Sequence, residues 1–263
     1  MTERYSRQTF LGANAMEFLR EADVAIIGVG GGGSHVAQQL AHIGVGHVQL
    51  YDPDRVDESN LNRLVGAVAA DATTRELKVR VAERMIRGIN PEVNTQVFPS
   101  KWQLAAPRLR ESDVIVSCVD SFAARQDIEV TARRFLIPLI DIGMDVHLVD
   151  NKPQIAGQVI LSLPGGPCMK CLGFLNDEAL RQEADQYGAA GDRPQVIWTN
   201  GVLASVAVGI LADLVTGWRD QRLCGEYIHY DGNTHELSNS PRLQYAPAKC
   251  IHFPLEDIGE PRL

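Results

Sequence analysis

The run Gly28-Val-Gly30-Gly-Gly-Gly33-Ser34 constrains this chain more than any other feature. It follows an apolar segment, Asp23 to Gly30, that reads as a buried strand. It opens Ser34 to Ile43, where Val36, Leu40 and Ile43 recur at helical spacing. Glycine at such a turn allows positive φ and close backbone approach. The freed amides and the helix dipole then favour a phosphate. Asp52 ends the next apolar segment, His47 to Asp52, where a carboxylate can accept from ribose hydroxyls. Gly28, Gly30, Gly31, Gly33 and Asp52 therefore point to a nucleotide. NAD, FAD and ATP all fit the glycines, and a turn needed only for strand–helix packing is the plainer alternative.

The pattern continues. Lys78 to Ile89 reads as a helix stopped by Asn90-Pro91, with a short strand at Thr95 to Phe98. Asp113 to Asp120 reads as a strand, Phe122 to Phe135 as a helix, and Ile137 to Ile142 as a strand. This alternation predicts a mostly parallel sheet covered on both faces. Gln158 to Leu163 reads as a further strand, Leu172 to Pro194 as a long surface loop, and the uncharged run Gln195 to Ala212 as a buried core helix. Two strands are expected around Asp231-Gly232, sharing the same sheet. The fold class is thus α/β, a Rossmann-like nucleotide-binding fold whose mostly parallel sheet is extended by antiparallel strands.

A net charge of −8 over 263 residues disfavours nucleic acid as a partner, so an anionic ligand needs a local cluster of cations. The polar start carries no signal-like apolar core, and no segment reads as a membrane span, so a cytoplasmic protein is expected. Such a cluster is at hand. Asp52-Pro-Asp54-Arg-Val56 precedes Glu58-Ser59-Asn60-Leu61-Asn62-Arg63; Lys78 and the Asp120-Ser-Phe-Ala-Ala-Arg125 stretch follow. Hydride transfer has no use for several cations and a further aspartate beside the phosphates. A triphosphate does: Arg63 and Lys78 supply positive charge, and Asp120 suits Mg²⁺, a hard cation that takes oxygen ligands.

With these residues in place the sequence resembles the MoeB/ThiF/HesA family, bacterial relatives of ubiquitin-activating enzymes. The matching pieces, in order, are Arg4 to Gln8 (RYSRQ), the glycine run, YDPDRVDESNLNR, Lys78, INP and SCVDSFAAR. Each is weak alone; their joint order is specific. The resemblance implies ATP-dependent adenylation of the C-terminal glycine of a ubiquitin-like or sulfur-carrier protein ending in Gly-Gly. It places Gly31 at the phosphates, Asp52 at the ribose, Asn60, Arg63 and Lys78 at the triphosphate, and Asp120 at Mg²⁺. Asp54, Ser59 and Ser121 join the nucleotide set by their place in the matching pieces. Arg7 would cross a homodimer interface to the partner's ATP. One adenylation domain, 1–263, is implied, with a helical arm (1–22), a nucleotide half (23–150) and a substrate half (151–263) carrying a crossover loop (172–198).

The chain also departs from the pattern. Leu64 stands where the family usually has Gln, Arg75 where a glycine often stands, and the stretch from Arg63 to Lys78 is about two residues longer than usual. Plainer roles exist for each residue: solvated charges for Arg7, Arg63 and Lys78, a helix cap for Asp120, a turn aspartate for Asp54.

Cys168-Met-Lys-Cys171 has zinc-knuckle spacing. The resembling family often closes such a site with a second C-x-x-C, which is missing here. Lys249-Cys250-Ile251-His252 stands instead, with Cys224 further back. A structural Zn²⁺ site of Cys168, Cys171, Cys250 and either His252 or Cys224 is expected; a redox pair or a metal-free relict pair are the alternatives. The loop 172–198 holds no cysteine, so adenylation without a thioester on that loop is expected. A non-catalytic subunit, a tRNA threonylcarbamoyladenosine dehydratase-like enzyme and an NAD-dependent oxidoreductase are the competing functional readings.

Overall fold

The computed structural model describes residues 3–185, 194–220, 223, 225–253 and 259; the side chains of 179, 182, 184 and 185 fall outside that set. In chain order the elements are α1 (Ala15–Glu21), β1 (Asp23–Ile27), α2 (Gly31–Ile43), β2 (His47–Tyr51), α3 (Ala69–Thr74), α4 (Lys78–Ile89) and β3 (Asn94–Phe98). Then come β4 (Val114–Ser117), α5 (Phe122–Arg134), β5 (Leu139–Val149), β6 (Lys152–Ser162), α6 (Asp177–Asp185), α7 (Ile197–Thr216), β7 (Glu226–Asp231) and β8 (Glu236–Asn239).

The strands form one eight-stranded sheet in the order β3-β2-β1-β4-β5-β6-β7-β8. From β3 to β5 all pairs are parallel; from β5 to β8 all are antiparallel. Strand periodicity sorts the core. In β1, Val24 and Ile26 face the layer of α1, α2, α4 and α7, while Ala25 and Ile27 face α5 and the Met169–Leu175 segment. Each fully buried leucine, such as Leu40 of α2 or Leu203 of α7, contributes about 1.5–3 kcal/mol. Among the described residues, α7 alone is long and apolar enough to cross a membrane. One side of it, Leu203, Ala204, Ala207 and Leu211, is core.

Two sequence expectations are corrected. Leu172 to Pro194 is not all loop, because α6 lies within it. The strands at Ile137 to Ile142 and Gln158 to Leu163 are the inner parts of two eleven-residue strands, β5 and β6, paired from Leu139↔Ser162 to Val149↔Lys152. They are joined at Asp150 and Asn151, both at positive φ (50° and 60°), the backbone of a type I′ hairpin turn.

Candidate active site

The chain leaves β1 in one direction and β4 in the other, so the sheet order reverses between them. A crevice opens there at the carboxyl ends of the strands. β1 stops at Ile27 because Gly28 takes φ +87°, and a Cβ there would lie 2.8 Å from the Cys118 carbonyl oxygen. The first intrahelical bond of α2 runs from Ser34 N to Gly30 O, which leaves the amides of Gly31, Gly32 and Gly33 without helical acceptors.

A cavity of about 450 Å³ lies over this turn, a normal size for a small-molecule site. Of the residues expected from sequence it gathers Gly28, Gly30, Gly31, Asp52, Asp54, Asn60, Arg63, Lys78 and Asp120. Asp52 accepts from Val29 N at 2.7 Å and Asp54 N at 2.8 Å. Burial pushes its carboxyl up, against the pull of Lys78 and these two donors. Lys78 opens α4; its N–H reaches Asp54 O (3.0 Å) and its Nζ pairs with Asp54 Oδ2 at 2.8 Å. Arg63 donates to Ser59 O (2.6 Å) and Asn62 Oδ1 (3.0 Å).

Four expected residues do not line the cavity. Gly33 is a packing glycine: a Cβ would sit 1.9 Å from Gly28 O, so its place is helix–strand contact. Ser59 serves through its carbonyl on Arg63. Ser121 is the N-cap of α5, accepting from Ala124 N (3.2 Å), so the cap is Ser121 and not Asp120. Arg7 is exposed in the short 3-10 segment Glu3–Leu11.

The structure adds residues that the sequence reading missed. Lys101 and Trp102 follow β3 and line the cavity, at the carboxyl end of a parallel strand where ligand contacts concentrate. Below them Arg125, buried, pairs with the fully buried Asp141 and donates to Val119 O and Ile142 O. Burial pushes the Asp141 carboxyl up, and Arg125 opposes this. Cys118 also lines the cavity, and burial raises its thiol pKa. Glu183 of α6 reaches the start of α5: its carboxylate accepts from Phe122 N (3.0 Å), Ala123 N (2.9 Å) and Ser121 Oγ (3.2 Å). An anion thus sits where the helix dipole favours one, and the crossover segment is held beside Asp120.

A second cluster lies on the α5 side of the sheet. Cys168, Cys171, Cys250 and His252 offer ligand atoms within 4.8 Å of one another. Sγ of Cys171 is 3.6 Å from that of Cys168 and 3.7 Å from that of Cys250; His252 Nδ1 is 3.4 and 3.3 Å from Cys168 and Cys171. A tetrahedron with Zn–S of about 2.3 Å and Zn–N of about 2.0 Å has S···S edges near 3.8 Å and S···N edges near 3.5 Å. The four separations above lie within about 0.2 Å of those edges. Cys224, the alternative ligand, lies outside the described residues. The turn leading to the cluster is fixed by Arg133, which donates to Gly166 O, Pro167 O and Ser162 Oγ, and by Glu129, which accepts from Met169 N.

Compared with known proteins, the chain matches the ThiF family pattern over residues 5–251. It belongs to the ThiF family. Among relatives of this ThiF chain, the sulfur carrier protein adenylyltransferase of Thermus thermophilus is 33% identical over 175 residues. That match covers 65% of this chain and 63% of the relative, and so spans less than two thirds of its length. The molybdopterin-synthase adenylyltransferase of Escherichia coli is 32% identical over 66% of this chain and 69% of that protein. Protein HesA of Trichormus variabilis is 26% identical over 94% of this chain and 88% of its own length. Among solved structures, E. coli MccB with ATP superposes with a TM-score of 0.74 at 21% identity, covering 91% of this chain and 71% of that one. That likeness concerns the fold, and agrees with the mixed sheet expected from sequence.

Proposed function

We propose that this ThiF-family chain is an ATP-dependent adenylyltransferase that activates the C-terminal glycine carboxylate of a ubiquitin-like or sulfur-carrier protein. One observation supports this most: Asn60 and Arg63 from one turn, Lys78 at a helix start and Asp120 after β4 converge with the Gly31–Gly32 turn on one cavity. An NAD site needs no such set. The nucleophile is a carboxylate already ionised at neutral pH, so no general base is required. The protein's task is to bring two anions together in line, by neutralising charge and fixing position. Asp120, a carboxylate on the cavity wall, suits Mg²⁺, which would neutralise triphosphate charge. Asp52 takes the ribose, and the loop amides with Lys78 and Arg63 take the phosphates.

The tetrahedral edges of the cysteine cluster support a structural Zn²⁺ held by Cys168, Cys171, Cys250 and His252, with no position left open for chemistry. Arg7 acts in a homodimer, on the partner's nucleotide, which fits its exposed position away from its own cavity. We place the enzyme in the cytoplasm, as one domain over 1–263.

ATP–pyrophosphate exchange with candidate proteins ending in Gly-Gly tests the activity. Exchange is expected with ATP and a carboxylate-ended carrier; binding of NAD instead of ATP would overturn it. Mixing Arg7→Ala with Asp120→Ala, each inactive alone, tests the dimer. Mixed dimers keep one intact site, so roughly a quarter of the activity should return. No recovery on mixing would remove the crossing arginine.

A further inference from the structure

The cavity lining carries two chemically different sets of side chains. Lys78, Arg63 and Asp120 carry charge. Arg125 is committed to Asp141 and two carbonyls, and Asn200 and Gln195 present neutral amides. Asn200 stands in the first turn of α7 and is only 4% exposed. Its Nδ2 spends one N–H on Val196 O (3.1 Å). Among the described residues, its second N–H and its Oδ1 have no partner. These groups face the open cavity, so a ligand or water can complete them.

Its direction is set by the glycine turn. A Cβ at Gly31 would lie 2.4 Å from Asn200 Nδ2 and 3.3 Å from Gln195 Oε1. Residue 31 therefore lacks a side chain to admit these amides as well as a phosphate. Asn200 and Gln195 thus stand directly beside the phosphate-binding turn, where an incoming acyl carboxylate has to meet the nucleotide.

We propose that Asn200 and Gln195 are substrate-positioning residues that hold the terminal carboxylate and last peptide unit of the acyl substrate; this rests on the adenylation reading above. Asn200 Nδ2 donates to the carboxylate oxygen that does not attack. The other oxygen forms a bond to the α-phosphorus, the bond from that phosphorus to its bridging oxygen breaks, and pyrophosphate leaves with the electron pair. No proton moves. A neutral amide suits this step better than a cation. It orients the carboxylate without drawing charge from the attacking oxygen, and its Oδ1 can accept from the last peptide N–H.

The test is Asn200→Asp in the full-length protein, assayed by ATP–pyrophosphate exchange over a range of Gly-Gly-ended carrier concentrations. The substitution keeps the shape, removes the donor and adds repulsion. Carrier KM should rise about tenfold or more and kcat fall by about 10²-fold, the scale of a misplaced reactant. ATP-analogue affinity should stay within about twofold. The defect should shrink toward pH 5, as protonation of the new aspartate restores a donor. Gln195→Ala, at a half-buried position before the start of α7, should raise carrier KM by roughly three- to tenfold and decides the matter if the first variant does not fold. Wild-type carrier KM in the folded variants, or weakened ATP binding in place of it, overturns the proposal. Absence of exchange in the wild-type protein instead overturns the adenylation reading, and this inference with it.

Discussion

The two halves of the sheet build their sites by different means. In the parallel half the cavity proposed as the nucleotide seat is made where strands end: the turn after β1, Asp52 after β2, Lys101 after β3 and Asp120 after β4. Each group arrives with the loop that follows its strand, and backbone geometry does most of the placing. In the antiparallel half nothing is local. The cysteine cluster joins residues 168–171 to 250–252, and Glu183 reaches back to residues 121–123. The difference predicts separable failures: changes in the first half should remove chemistry and spare the fold, while changes in the second should loosen the fold or the carrier's hold and spare the nucleotide.

The sharpest way to break that contrast is at Asp120 and Lys78. Asp120→Ala and Lys78→Ala should each cut ATP–pyrophosphate exchange by about 10²- to 10³-fold or more, because aligned charge is worth most where charge develops. Asp120 is exposed and the ion pair of Lys78 is with the exposed Asp54, so melting midpoints should move little. Near-normal exchange in Asp120→Ala would remove it from the metal role.

The cluster should behave oppositely. Cys171→Ser should release the bound metal, measured per chain by elemental analysis, and lower stability by a few kcal/mol, roughly 5–10 °C in melting midpoint. ATP affinity should persist. A protein purified without metal, and unmoved in stability by the substitution, would make the four residues a relict.

This contrast also explains what could be read from the sequence. The turn at Gly28, the strands β1, β2 and β4, and helix α4 with its limits at Lys78 and Ile89 follow from local periodicity and turn chemistry. Helix α6 did not: its sequence, DEALRQEAD, has one leucine and no apolar stripe, so periodicity is silent. The outer halves of β5 and β6 carry charged and exposed residues and are held by each other, with Asp150-Asn151 as the missed turn signal. Asn200 was hidden for the opposite reason. It lies in the uncharged run 195–212, which reads as core throughout, and only folding turns one amide onto the glycine run. Arg75 is a mixed case: it departs from the expected glycine, yet keeps a left-handed φ of 54° as the end of α3, helped by a pair with Asp57.

A milder probe sits at the contact between halves. Glu183→Gln keeps the shape but removes the charge at the start of α5, an effect of about 0.5–1 kcal/mol. Carrier KM should rise two- to fivefold with ATP affinity unchanged. Equal changes in both would mean that α6 belongs to the nucleotide seat and that the halves are not separable there.

The smallest effect concerns the segment between Arg63 and Lys78, whose two ends line the cavity. Asp71 accepts from both terminal nitrogens of Arg84 (2.8 and 2.7 Å) and from Val68 N (2.8 Å), and Arg84 also reaches Gly66 O. This ties the segment to α4. Arg84 is half exposed, so solvent screening limits the pair to about 1 kcal/mol. Hydrogen bonds from Arg84 hold the Asp71 carboxyl below its ordinary 3.8. A carboxylate with a lowered folded pKa contributes fully above its unfolded pKa and loses that contribution as pH falls through the folded value. Asp71→Asn should therefore be less stable than wild type by a constant amount from pH 7 down to about 5. Below about pH 4 the two denaturation midpoints should converge. A gap that does not narrow at all between about pH 5 and pH 2 would mean that the charge of Asp71 against Arg84 does not hold the segment down.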